Sequence, residues 1–256
     1  MRLNNKVVLV TGGASGMGQA FVRRLDQEGA VVYFTDINEV AGKALESEIN
    51  NDGGHVFFLP QDVSNESDWH MVLDTIRSHE KRLDVLINNA GMIIPGNIEE
   101  CSLEQFQLHL DVNLKSAFLG CKLSLPLMQQ HGGSIINMSS ITAIVGEQDA
   151  IGYSASKAGV RFLSKSVALH CAEKGYAIRV NSLHPGYIST PLVTGVMSKL
   201  DADRQAAVHQ RLMQELPVKR FADPDEVSGT VVFLSSDDSK YITGTEIIID
   251  GGFSCH

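Results

Sequence analysis

Tyr153 and Lys157 stand four residues apart in Tyr153-Ser154-Ala155-Ser156-Lys157, a spacing that puts both on one face of a helix. The chemistry this pair offers is proton transfer. A free phenol titrates at about 10. A neighbouring ammonium favours the phenolate and pulls that value towards neutrality, where the phenol works as a general acid or base. Ser140 lies 13 residues before Tyr153, at the end of an apolar run, and brings a hydroxyl to the same neighbourhood. A Tyr-x-x-x-Lys pair also occurs by chance, so its weight depends on the elements that place it.

Those elements begin with Lys6-Val7-Val8-Leu9-Val10-Thr11, which reads as a buried parallel strand. The chain then turns through Gly12-Gly13-Ala14-Ser15-Gly16-Met17-Gly18 and continues with helical apolar spacing over residues 19–25. Strand, glycine turn and helix start form a cradle for a pyrophosphate: glycine permits close backbone approach, and the helix start presents free N–H groups. The spacing Gly12-x-x-x-Gly16-x-Gly18 differs from the usual G-x-G-x-x-G, and a turn that binds nothing is the alternative. A second strand over residues 30–35 ends at Asp36, 18 residues past Gly18, where an adenine ribose belongs. Its carboxylate can accept from both ribose hydroxyls and repels a 2′-phosphate. Neither the turn nor Thr35 and Ile37 offers a cation, so the expected cofactor is NAD. The competing role for Asp36 is to cap the next helix.

Further along, a helix over 38–50, a strand over 55–59 and a helix over 64–79 are expected. Asp62, after the third strand, either meets the adenine amino group or caps the helix opening at Ser64. A fourth strand over 83–87 leads into Asn88-Asn89-Ala90-Gly91, small enough to pack on a cofactor and also an ordinary turn. Helical periodicity runs through 103–130 and places Asn113 on an apolar stretch, as structural glue or as a positioned polar group. A fifth strand from Gly133 carries Ser139 and Ser140. A sixth, over 176–183, runs into His184-Pro185-Gly186-Tyr187-Ile188-Ser189-Thr190. Thr190 is placed for a carboxamide or for a helix cap. Residues 191–216 are amphipathic, with Leu192, Val193, Val196, Met197, Leu200 and Met213 among charges, and suit a lid or substrate wall. A last helix over 223–235 and a strand over 246–250 complete the alternation. Seven strand–helix alternations argue for an α/β fold: a doubly wound, Rossmann-type parallel sheet of about seven strands with helices on both faces.

The 256 residues carry 43% hydrophobic and 20% charged side chains with a net charge of −9, which fits a globular chain and argues against nucleic acid. No run approaches the ~18 apolar residues of a membrane helix, and the residues before the glycine turn do not read as a signal peptide. Cys101, Cys121, Cys171 and Cys255 show no C-x-x-C spacing. They read as reduced thiols of a cytoplasmic protein, with no metal site.

Taken together, Thr11-Gly12-x-x-x-Gly16-x-Gly18, Asn88-Asn89-Ala90-Gly91, Asn113, Ser140 with Tyr153-x-x-x-Lys157, and Pro185-Gly186 with Thr190 resemble the short-chain dehydrogenase/reductase family over essentially the whole chain. The resemblance implies one NAD-binding unit spanning 1–256, with 187–216 as the substrate lid. It implies a catalytic set of Asn113, Ser140, Tyr153 and Lys157. Tyr153 exchanges the alcohol proton, and Lys157 lowers its pKa and holds the nicotinamide ribose. Ser140 holds the substrate oxygen, and Asn113 holds a water that relays protons. The implied cofactor contacts are Gly12, Ser15, Gly16, Met17, Gly18, Asp36, Ile37, Asp62, Val63, Asn89, Ala90, Gly91, Tyr153, Lys157, Pro185, Gly186, Ile188 and Thr190. A homotetramer is the family's usual assembly. Asp36-Ile37-Asn38-Glu39, Asp68-Trp69 and the segments 133–138 and 175–185 look most like bacterial NAD-dependent 3β/17β-hydroxysteroid dehydrogenases. The implied substrate is a hydrophobic secondary alcohol or ketone. A 3-oxoacyl carrier-protein reductase and a non-catalytic NAD sensor are the alternatives on the same fold.

Overall fold

The computed structural model describes residues 1–198 and 201–255, with the side chains of Val196 and Arg204 left aside; Leu200, expected in the amphipathic stretch, lies outside the described residues. The strands are β1 (Val7–Thr11), β2 (Val31–Asp36), β3 (Val56–Pro60), β4 (Val85–Asn88), β5 (Gly133–Met138), β6 (Ile178–Pro185) and β7 (Glu246–Ile249). They form one sheet in the order β3-β2-β1-β4-β5-β6-β7, and every pairing is parallel. The chain winds outward from β1 to β3 and then returns to β4 on the other side of β1. That reversal opens a crevice beyond the carboxyl ends of β1 and β4, where such sheets bind ligands.

Both faces of the sheet are covered. On one face, α1 (Gly16–Gln27), α2 (Glu39–Asn51) and α9 (Pro224–Ser235) bury Phe21, Leu25, Leu45 and Val231 against Val8, Val32 and Phe34. On the other face, α3 (Glu66–Glu80), α5 (Ser116–Met128) and α6 (Ile151–Glu173) bury Trp69, Ile76, Leu119 and Cys171 against Leu9, Leu86 and Ile135. Strands buried on both sides need apolar residues on both sides, which is why β1 reads as a continuous apolar run.

Two assignments differ from the sequence reading. The span read as one helix over 103–130 is α4 (Leu103–His109), a widened π turn at Leu110–Lys115, and α5. The turn contains Asn113, and π turns gather at functional sites. The stretch read as one amphipathic segment is two helices, α7 (Pro191–Met197) and α8 (Ala202–Glu215). The caps of α2 and α3 fall on asparagines and not on Asp36 or Asp62, for which capping was the alternative role. Asn38 caps α2 by accepting from the Ala41 N–H at 3.1 Å. Asn65 caps α3 by accepting from the Ser67 N–H at 3.0 Å. Capping by these two asparagines leaves the carboxylates of Asp36 and Asp62 at the strand ends, outside the helix starts.

Candidate active site

The cradle after β1 depends on two glycines. Gly12 has φ +63°, and a Cβ there would lie 2.8 Å from the Ala90 Cα. A Cβ on Gly18 would lie 2.0 Å from the Gly12 carbonyl oxygen and 2.7 Å from the Asn89 Nδ2. Ala90 takes the space at Gly12, and the Gly12 carbonyl with Asn89 takes it at Gly18; the Asn89 Nδ2 donates to the carbonyls of Thr11 at 2.9 Å and Gly12 at 3.0 Å. The Thr11 hydroxyl accepts from the N–H groups of Asn89 and Ala90, both at 3.1 Å. The β1 and β4 loops are thereby fastened across the switch point. Ser15, at the start of α1, makes no side-chain cap, so the first-turn N–H groups stay available to an anion.

A cleft of about 460 Å³ opens here. It gathers Gly12, Ser15, Gly16, Met17 and Gly18 from the cradle, Asp36 and Ile37 after β2, and Asp62 and Val63 after β3. It also gathers Asn89, Ala90 and Gly91 after β4, and Thr190 before α7. No lysine or arginine lines it among the described residues. Asp36 is held in place: its carboxylate accepts from the N–H groups of Ala14 at 3.1 Å and Asn38 at 2.9 Å. Asp62 accepts from the Ser64 N–H at 2.9 Å and the Ser64 hydroxyl at 2.7 Å. Thr190 does serve the helix start, accepting from the Val193 N–H at 3.4 Å. Pro185, Gly186 and Ile188 do not line the cleft. Gly186 donates to Ile249 in the β6–β7 ladder at 2.9 Å, and the Ile188 side chain is buried in the apolar core.

The sequence reading passed over Gln61. It is 3% exposed, lines the same cleft, and neither amide atom has a partner. A buried polar group without a partner is costly, so this amide marks the end of the cleft beside Asp62 and Val63 as a place built to take a polar ligand. The available signal was a glutamine following an apolar strand at the ligand edge. Met92, Leu108 and Val112 form an apolar wall that was also passed over.

Beyond Gly91 lies the group with acid–base chemistry. Lys157 is buried, donates from Nζ to the Met138 carbonyl at 2.8 Å, and sits 5.7 Å from the centre of the Tyr153 ring. A Cβ on Gly91 would lie 3.2 Å from that Nζ and 3.3 Å from the Asn113 Oδ1, so the lysine and the amide converge on Gly91 at the edge of the cleft, which Lys157, Asn113 and Tyr153 themselves do not line. Burial lowers Lys157 to about 8. Tyr153 goes the opposite way from the expectation: burial raises it, and hydrogen bonding with the Ser140 side chain draws it partly back. The ammonium is turned to the Met138 carbonyl, and desolvation of the phenol dominates.

Ser140 is held from two sides. Its hydroxyl accepts from the Thr142 N–H at 3.2 Å. Its carbonyl accepts from Nδ1 of His184, which is fully buried, at 3.0 Å. Below it, Asn88, Asn137 and Ser164 form a buried chain with bonds of 2.7 and 2.9 Å, tying β4, β5 and α6 together. Asn113 donates to the Met92 carbonyl at 3.0 Å and the Ser156 hydroxyl at 2.9 Å, and accepts from the Met92 N–H at 2.8 Å. It is therefore glue, and it also stands beside Lys157.

A glycine cradle at the switch point of a parallel sheet, with a serine, tyrosine and lysine grouped beside it, defines a dinucleotide-dependent oxidoreductase. The profile of the family described as "Enoyl-(Acyl carrier protein) reductase" matches residues 12–254. A 3-beta-hydroxysteroid dehydrogenase of Comamonas testosteroni is 41% identical over 249 residues, covering 97% of this chain and 96% of that protein. A cyclopentanol dehydrogenase of Comamonas sp. (strain NCIMB 9872) is 41% identical over 256 residues, covering 100% and 99%. An NADP-dependent (R)-specific alcohol dehydrogenase of Lentilactobacillus kefiri is 37% identical over 261 residues, covering 99% and 98%. The chain belongs to the short-chain dehydrogenase/reductase family.

Proposed function

We propose that this chain is an NAD-dependent dehydrogenase that interconverts a bulky or cyclic secondary alcohol and its ketone. The observation that carries the reading is the convergence of Ser140, Tyr153 and Lys157 beside a cleft that has an acid, Asp36, and, among the described residues, no cation at its ribose end. The substrate class follows the relatives, which are named for a 3-beta-hydroxysteroid, for cyclopentanol and for (R)-specific action on an alcohol.

The cradle from Gly12 to Gly18 holds the pyrophosphate, and Asp36 with Ile37 holds the adenine ribose. Asp62, Val63 and Gln61 flank adenine. Asn89, Ala90 and Gly91 line the path to the nicotinamide. Thr190, which lines the cleft, orients its carboxamide, and Pro185, Gly186 and Ile188 set the turn after β6 that carries Thr190 there. When bound, the nicotinamide supplies the hydride acceptor or donor. Tyr153 gives a proton to the ketone oxygen, or takes one from the alcohol. The Ser140 hydroxyl hydrogen-bonds that oxygen. Lys157 turns from the Met138 carbonyl to the ribose hydroxyls and the phenol, and Asn113 carries the proton relay outward.

Residues 187–216 form the lid of a single 1–256 unit. In support, Arg211 of α8 lies 4.0 Å from Glu147 of the segment after Ser140. Tyr187 stacks on Phe221 at 5.7 Å and meets Phe253 edge-on at 5.5 Å. No helix is long and apolar enough to cross a membrane among the described residues, and all four cysteines are free, in keeping with a cytoplasmic enzyme. A homotetramer fits the apolar groove of Leu114, Phe118 and Leu163 and the exposed Phe162, Leu169 and Ile248, surfaces that a second copy would cover.

A screen of NAD reduction over steroids, cyclic alcohols, polyols and 3-hydroxy acids tests the reading. Turnover is expected with the first two classes; a panel that yields no NADH overturns it. The pH dependence has a definite sign. Burial keeps Tyr153 protonated through neutrality, so ketone reduction has its acid ready and holds level there. Alcohol oxidation needs the phenolate and is expected to rise with pH, by up to about tenfold per unit. Initial rates in both directions over a pH series check this, and an oxidation rate that falls with pH contradicts the assignment.

A further inference from the structure

His109, the last residue of α4, is fully buried, and both ring nitrogens are engaged. Nδ1 lies 2.8 Å from the Gln105 carbonyl, which can only accept. Nδ1 therefore carries the hydrogen. Nε2 lies 3.0 Å from the Ile94 N–H and accepts from it. The two bonds fix one neutral tautomer. Burial also holds His109 below the usual histidine range.

The ring is wedged against the start of α6. A Cβ on Gly152 would lie 2.6 Å from the His109 Nδ1, so only glycine fits at the residue before Tyr153. The loop after Gly91 is also joined to this helix start: Gly96 donates to the Asp149 carbonyl at 2.9 Å, and Ile151 donates to the Gly96 carbonyl at 3.3 Å. Asn113, four residues after His109, grips the Met92 backbone. His109 and Asn113 thus hold alternate residues of one loop, and Met92 of that loop lines the cleft.

We propose that His109 is a positioning residue that sets the loop over residues 92–96 against the helix start carrying Tyr153. It touches neither substrate nor cofactor. Its ring acts as the spacer between the two walls that must close on the reacting carbon. The effect on turnover rests on the dehydrogenase reading above, whereas the effect on the loop does not.

The test compares His109→Leu, His109→Gln and Gly152→Ala with the unaltered protein. Leucine keeps the bulk and loses the acceptor for Ile94. Glutamine can present an oxygen where Nε2 stood. Alanine at 152 pushes the ring out while leaving both of its nitrogens present. Amide exchange over residues 92–96 is read by mass spectrometry, together with kcat and NADH affinity. His109→Leu and Gly152→Ala are expected to speed exchange in that segment and to lower kcat by about 10- to 100-fold, the scale of an ångström-sized misplacement, with NADH affinity unchanged. His109→Gln is expected to restore protection and most of kcat. Unchanged exchange in His109→Leu overturns the proposal. So do equal losses in the Leu and Gln variants, which would mean packing alone. If His109→Leu fails to fold, the Gly152→Ala and His109→Gln pair decides. If the unaltered protein turns over no alcohol, the functional reading fails, while the exchange data still decide the role of the histidine.

Discussion

Tyr153→Phe is expected to lower kcat by about 10²–10⁴-fold, the usual worth of a positioned acid–base group, while NADH still binds. The substitution removes one oxygen and keeps the ring, so the packing around Lys157, 5.7 Å from the ring centre, survives. Nothing nearby replaces the hydroxyl. In the proposed mechanism the Ser140 hydroxyl is already engaged in hydrogen-bonding the substrate oxygen, and the Lys157 amine donates to the Met138 carbonyl. The cradle, Asp36 and Asn89 lie on other elements and do not feel the change, so cofactor affinity measured by NADH fluorescence stays where it was. Steady-state rates on the best alcohol from the screen, set beside that titration, make the check. A variant that retains near-normal kcat removes Tyr153 from the chemistry.

The second large effect concerns the ribose end of the cleft. NAD is expected to outperform NADP by about 10²–10³ in kcat/KM, because placing like charges together costs several kcal/mol and about 1.4 kcal/mol is a factor of ten. The Asp36 carboxylate cannot swing aside without giving up the Ala14 and Asn38 N–H groups it holds. Its neighbour Ile37 brings no compensating cation. Asp36→Asn should narrow the ratio by weakening the repulsion, while its single amide oxygen keeps an acceptor for one of the two N–H groups that Asp36 holds. Family membership does not decide the matter, since the relative from Lentilactobacillus kefiri is named as NADP-dependent. Paired kinetics with both cofactors do, and a preference for NADP in the unaltered protein overturns the assignment.

What the sequence revealed is what strand ends control. β1, β2 and β4 are apolar runs stopped by Gly12, Asp36 and Asn88, and a parallel sheet places those stops along one edge whatever the loops do. Asp36, Asp62 and Asn89 were therefore legible as neighbours. The π turn was not, because apolar spacing continues through residues 103–130 and an extra residue in one turn barely disturbs it. The split between α7 and α8 was hidden for the same reason. Gln61 and His109 escaped because a polar residue announces itself only once burial and partners are known: Gln61 has none, and His109 has two. The direction of the Tyr153 shift needed the lysine's actual partner, a carbonyl that no spacing rule reveals.

The widened turn at Leu110–Lys115 has an evolutionary edge to it. Its geometry is stored in residue count and not in any one side chain, so point substitutions preserve it and a one-residue deletion abolishes it. Such a deletion would heal the rod into an ordinary helix with better main-chain bonding, and at the same stroke rotate Asn113 away from Met92. The shortened chain would forfeit the bonds by which Asn113 ties this helix to Met92 and Ser156, so the irregular turn serves the fold as well as the site.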